Sequence, residues 1–189
     1  YTVYTWVKDA SGNISPVASD TVTKDTKVYW YQEAYIKASN ADASDSFGES
    51  VQLDGDTLVV GARSEDSNQT SITNGTGSST NNSISSAGAV YVYKRTGTNW
   101  AQEAYIKPDQ TPSSSEYFGT SVTISGDTIV VGSTGEDSNQ TSITNGSTSS
   151  SNNSLSNSGA AYVYVRSGTT WTQQAYIKAA NAGTSDSFA

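Results

Sequence analysis

The 189 residues carry 18 acidic side chains against 10 basic ones, and neither cysteine nor histidine. Without those two residue types the chain has no disulfide, no thiolate or imidazole metal site, and no Ser-His or Cys-His nucleophile system. A formal charge of −8 with no basic patch repels phosphate backbones and anionic bilayers, so nucleic acid and membrane insertion are not expected. Hydrophobic residues make up 34% and charged residues 15%, and the rest is largely serine, threonine, asparagine and glycine. Four tryptophans and twelve tyrosines argue against disorder and for strands and turns. No apolar run reaches a membrane span, no signal peptide is visible and methionine is absent, so a mature product or a piece of something longer is expected.

YTVYTWVKDASGNIS at 1–15 alternates apolar and polar residues, turns at Asp9–Asn13 and runs on to TVTKDTK at 21–27. A repeat follows. AYIK recurs at 34–37, 104–107 and 175–178, each copy just after a tryptophan, Trp30, Trp100 and Trp171. SFGESV at 46–51 matches YFGTSV at 117–122, and SFA at 187–189 matches the start of both. GDTLVVG at 55–61 returns as GDTIVVG at 126–132, and GAVYVYKRTGTNW at 88–100 as GAAYVYVRSGTTW at 159–171.

Each unit reads as four strands. SVQL at 50–53 leads into a turn at Gly55-Asp56, where glycine supplies the positive φ a hairpin needs. TLVVGA at 57–62 and GAVYVYKR at 88–95 are apolar on both faces, as covered strands are. WAQEAYIK at 100–107 sets Trp100, Ala104 and Ile106 against Glu103 and Lys107, which predicts one wet face. The decline from two covered faces to one fits a four-stranded antiparallel blade with its last strand at the rim. A β-sandwich would not need these motifs in register every seventy residues or so.

Between the second and third strands lies EDSNQTSITNG, at 65–75 and letter for letter at 136–146, followed by Ser/Asn-rich stretches that differ, 76–86 and 147–157. A connection this long is usually functional or disordered. A solvated loop left by recent duplication does not explain why only the tail diverged. Structural ordering is the better account: Glu65, Asp66, Ser67 and Asn68 bond the blade edge, Thr70 and Thr73 extend the pairing, and the divergent half is mobile. Ligand contact through Glu65, Asp66 and Asn68, with Glu136, Asp137 and Asn139 in the second copy, comes next. Paired carboxylates for glycoside chemistry fit poorly, because adjacent residues on an extended chain point apart. No catalytic residue is expected. Seven N-x-S/T patterns (Asn13, Asn68, Asn74, Asn81, Asn139, Asn145, Asn152) are mostly what so Ser/Thr-rich a chain produces by chance.

FG at 47–48 and 118–119 with SV after it, then GDTLVVGA or GDTIVVGS, then GAVYVY or GAAYVY, resembles the FG-GAP repeat of integrin-α-type propellers. The likeness is to the bacterial surface form and covers residues 30–189. It implies an all-β fold of propeller-type blades, two full repeats of a ring of about seven blades. It also implies an extracellular or cell-surface, bacterial setting, adhesion or ligand binding without catalysis, and often calcium. Calcium-binding members carry a D-x-D-x-D-G loop. Here LDGDT at 53–57 and ISGDT at 124–128 leave Asp54, Asp56 and Asp127 as the candidates, too few for that loop, and no cofactor is expected. The N-terminal stretch resembles the closing hairpin of a bacterial immunoglobulin-like domain. Three segments result: 1–29, the end of that domain and a linker; 30–107, a lead-in strand and first blade; 108–189, a second blade and the start of a third. The expected partner is a surface protein or a glycan. The alternative is further copies of the chain, in a filament or sheath built by strand addition.

Overall fold

A computed structural model describes residues 2–5, 10–11, 18–21 and 30–189. The chain divides into two units, Tyr1–Glu33 and Ala34–Ala189. In the first, β1 (Thr2–Thr5) pairs antiparallel with β2 (Ala18–Thr21), Thr2 opposite Thr21, and Ala10 and Ser11 lie in a turn. The rest of the expected hairpin, at 6–9, 12–17 and 22–29, lies outside the described residues.

The second unit holds two antiparallel sheets of five strands. One comprises β3 (Phe47–Asp54), β4 (Thr57–Ala62), β5 (Thr73–Asn74), β6 (Ala89–Thr96) and β7 (Asn99–Ile106), in the order β3-β4-β6-β7-β5. The other comprises β8 (Phe118–Ser125), β9 (Thr128–Ser133), β10 (Thr144–Asn145), β11 (Ala160–Ser167) and β12 (Thr170–Ile177), in the order β8-β9-β11-β12-β10. These are two all-β, propeller-type blades, and the described residues contain no helix.

The predicted four strands form, and the polar string adds a fifth: Thr73 pairs with Tyr105 and Asn74 with Ala104, and Thr144-Asn145 repeats this on β12. The predicted wet face of the fourth strand is corrected. A bulge between Val92 and Tyr93 makes Ala104 face Val92 but Gln102 face Tyr93, leaving Glu103 as the extra residue. Ala104, Tyr105, Ile106 and Lys107 are all buried, so both faces of this end of β7 are covered and Lys107 is 1% exposed rather than solvated. AYIK at 34–37 forms no strand, and its Tyr35 is 78% exposed where Tyr105 and Tyr176 are fully buried.

The blades pack face to face. Val59, Val90, Val92, Ala104 and Ile106 of the first share one core with Phe118, Ile129, Tyr162, Tyr164 and Trp171 of the second. Within each blade the FG phenylalanine docks edge-on to a Tyr-x-Tyr pair: Phe47 on Tyr91 and Tyr93, Phe118 on Tyr162 and Tyr164, with the nearer centroid 5.3 Å away in both. Glycines of the motif sit where the blades touch. A Cβ on Gly61 would lie 2.1 Å from the Gly119 carbonyl oxygen, which also accepts a 2.7 Å hydrogen bond from the Ser50 hydroxyl. Only glycine allows that approach.

Candidate functional site

The verbatim string is tied down from its first residue. Glu65 leaves β4 and is 1% exposed, so its carboxylate needs partners. Lys107 Nζ donates to Oε2 at 2.9 Å, Tyr105 to Oε1 at 2.9 Å, Asn40 Nδ2 to Oε1 at 3.0 Å, and the Ser67 amide to Oε2 at 3.1 Å. Lys107 also donates to the Ser67 carbonyl at 3.0 Å, and the Ser67 hydroxyl, 2.7 Å from the Tyr105 oxygen, donates to it, since the Tyr105 proton goes to Glu65. Burial lowers the Lys107 pKa, and the adjoining Glu65 carboxylate opposes it.

The second blade repeats the network on Glu136. Lys178 Nζ lies 2.5 Å from Oε2 and also donates to Ser158 Oγ and the Gly159 carbonyl, both at 2.6 Å. Tyr176 donates to Oε1 at 2.7 Å. Asp66 and Asp137 play a second part, each accepting an amide from the far end of the insert, Ser86 and Asn157, at 2.7 Å. The identical half of the insert is therefore the half with buried partners. The divergent half is mostly exposed: Asn81 Oδ1 accepts the Ser83 amide and hydroxyl, and the Gly77 and Ser79 carbonyls accept Gln102 Nε2 at 2.9 Å and Asn40 Nδ2 at 2.6 Å. Asn68 and Asn139 are exposed, outside both networks.

The string also reaches across to the next blade. Asn74 Oδ1 accepts the Trp171 amide at 2.8 Å, and its Nδ2 donates to the Trp171 carbonyl at 3.4 Å, as a strand would. Glu103, the bulged residue, accepts Arg166 Nη1 at 2.9 Å and the Trp171 indole at 3.0 Å. Asn74→Ala is expected to cost about 1–2 kcal/mol, read as a lower urea midpoint. An unchanged midpoint would mean that the Asn74 bonds add nothing to the stability of the seam.

The turn carboxylates lie elsewhere. Asp56 Oδ1 accepts Arg95 Nε and Asp127 Oδ1 accepts Arg166 Nε, both at 2.8 Å, while Asp54 accepts the Gly126 amide at 2.7 Å. Calcium takes about six to eight oxygens. These carboxylates are each engaged by a cation or an amide, and among the described residues no three acidic groups converge, so the turns do not fit that ion.

The lysine and tyrosine of AYIK were the missed members of the site. The signal available was that AYIK and the string return together, since Glu65 and Lys107 recur as Glu136 and Lys178. Glu116 was missed too. It is 1% exposed, its Oε1 takes the Ser113 amide at 2.9 Å, and its Oε2 has no partner among the described residues.

No curated protein matches the chain. A family model described as FG-GAP repeat matches residues 30–93 and 100–164, most of the second unit. With the phenylalanine–tyrosine docking in both blades and the approach of Gly61 to Gly119 between them, this places the chain in the FG-GAP repeat family.

Proposed function

We propose that the chain is a non-catalytic segment of an extracellular, bacterial surface protein that holds a protein or glycan ligand through its FG-GAP blades. Repeats of this family are typically found in extracellular adhesion and ligand-binding proteins and are generally binding rather than enzymatic modules. The observation that carries the reading is that the buried acids at 65 and 136 are consumed in ion pairs. They fix the insert to the blade, and the exposed residues 76–86 and 147–157 become loops on a rigid support. The N-terminal hairpin, in this reading, closes an immunoglobulin-like domain that presents the blades. Arrays of matrix proteins and glycans probed with the full chain test this. Saturable binding to a member of either class is expected, and binding to neither at tens of micromolar would sink the reading.

A second reading, self-assembly, is favoured by one asymmetry. Leu53 is 52% exposed, whereas Ile124, its counterpart packed at the seam, is 6% exposed; Ile143 is 59% exposed, whereas its counterpart Ile72 packs against the shared core. The Ser185, Ser187 and Phe188 amides already bond carbonyls of 156–158, as those of Ser115, Tyr117 and Phe118 bond 85–87. A second copy stacking its first blade on this face would form a head-to-tail array, its open contact non-closing. Leu53→Asp and Ile143→Asp, each on one of the two free faces, are then expected to sediment as monomers alone and to pair when mixed. A wild-type chain that is monomeric at every concentration excludes this reading.

A further inference from the structure

We infer that Asn145-Gly146 is a site of spontaneous deamidation, and that the second blade protects its verbatim copy, Asn74-Gly75, from the same reaction. These are the two Asn-Gly pairs of the chain. In such a pair the glycine amide nitrogen attacks the asparagine Cγ, a step glycine allows because it has no side chain to shield its nitrogen or restrict its φ. The N–Cγ bond forms, the Cγ–Nδ2 bond breaks, and Nδ2 leaves as ammonia with the amide proton. Water then opens the cyclic imide at either carbonyl, leaving aspartate or isoaspartate and one added negative charge.

The two copies are matched in almost everything that sets the rate. EDSNQTSITNG is shared letter for letter, so the intrinsic reactivity is the same. Gln69 and Gln140 brace the two loops alike, each through Nε2 to the carbonyl of Ser71 or Ser142 and the hydroxyl of Thr73 or Thr144. The glycine amides are held alike too, Gly75 on the Glu103 carbonyl and Gly146 on the Gln174 carbonyl, both at 2.6 Å. Their φ angles are +101° and +100°. Both asparagines are exposed, so access of water does not separate them.

What separates them is the side-chain amide. To bring its Cγ onto the Gly75 nitrogen, Asn74 must leave the Trp171 backbone, which holds both Oδ1 and Nδ2. Asn145 has no hydrogen bond of its side chain to give up among the described residues, where no strand stands beside it as β12 stands beside Asn74. Ile72, two residues before Asn74, packs against the shared core, whereas Ile143 is 59% exposed. β10 is two residues long and lies at the edge of its sheet, so opening it breaks that short pairing alone. Opening β5 also tears the string from the second blade. A carboxylate at 145 has no proton for a strand carbonyl, so the reacted face cannot make the contact that Asn74 makes with Trp171. In the self-assembly reading, on which this consequence alone rests, deamidation stops the addition of copies at that face.

Peptide mapping by mass spectrometry follows both sites in one digest of the full chain, since the tails after Gly75 and Gly146 differ. In mildly alkaline buffer at body temperature, Asn145 is expected to convert on the order of tenfold faster than Asn74, the factor that one hydrogen bond of ordinary worth supplies. Aspartate and isoaspartate should both form, and in urea the two rates should converge. Leu53→Asp, which keeps copies apart in the self-assembly reading, is run beside the wild type. Faster conversion at 145 in both chains supports the site. Faster conversion in Leu53→Asp alone supports it as well, and shows that a second copy covers this face in the wild type. Equal rates in folded Leu53→Asp, whether both fast or both slow, overturn the inference. So does a difference that persists in urea, since the Trp171 backbone would then not be its cause.

Discussion

Lys178→Met is expected to lower folding stability by about 3–5 kcal/mol, because it leaves the Glu136 carboxylate buried without its cation. Both side chains are fully inaccessible, and the ammonium also serves Ser158 Oγ and the Gly159 carbonyl, so three acceptors lose a donor at once. The double variant Glu136→Gln/Lys178→Met removes both charges, while the new amide still accepts the Tyr176 hydroxyl. It should recover most of the loss, since exchanging a buried pair for neutral groups of similar size is close to neutral. Urea unfolding of the two single variants and the double variant measures this as non-additivity. A Lys178→Met loss under about 1 kcal/mol would show that the pair is not what anchors the string.

Glu116→Gln is expected to flatten the pH dependence of stability between about pH 4.5 and pH 7. Burial pushes the Glu116 carboxyl up to about 7; Glu136 adds to the rise, while the Ser113 amide, Gln110 and Lys107 oppose it. The folded state therefore holds this proton more tightly than the unfolded state, whose carboxyl titrates near 4.5. Stability from this group is complete below pH 4.5 and is lost as pH rises toward 7, amounting to about 3 kcal/mol. The difference between wild type and Glu116→Gln, measured by urea unfolding at intervals from pH 4 to 8, should therefore slope across that window and level off above it. A flat difference curve would mean that the Glu116 carboxyl titrates at its ordinary value when folded. Burial also raises the pKa of Asp45 in the first blade, so the same tendency is built in twice.

The repeat, strand positions and hairpin turns were legible in the sequence, because each is a local pattern. TLVVGA at 57–62 forms β4 to the residue, and Gly55 and Gly97 take the positive φ their turns require. The string's importance was legible as well, from its verbatim return beside a divergent tail. What holds it was not. Lys107 lies 42 residues from Glu65, and they meet because β5 lays the string against β7, a sheet order that no local pattern encodes. Lys107 is also a case by itself: alternation along WAQEAYIK places it in water, and the string laid over that face buries it. The sequence by itself determined the elements and where the chain turns, since side-chain periodicity and turn chemistry act over a few residues. Only the tertiary structure decided which charges pair and which polar atoms go without a partner, because those depend on strands brought together from far along the chain.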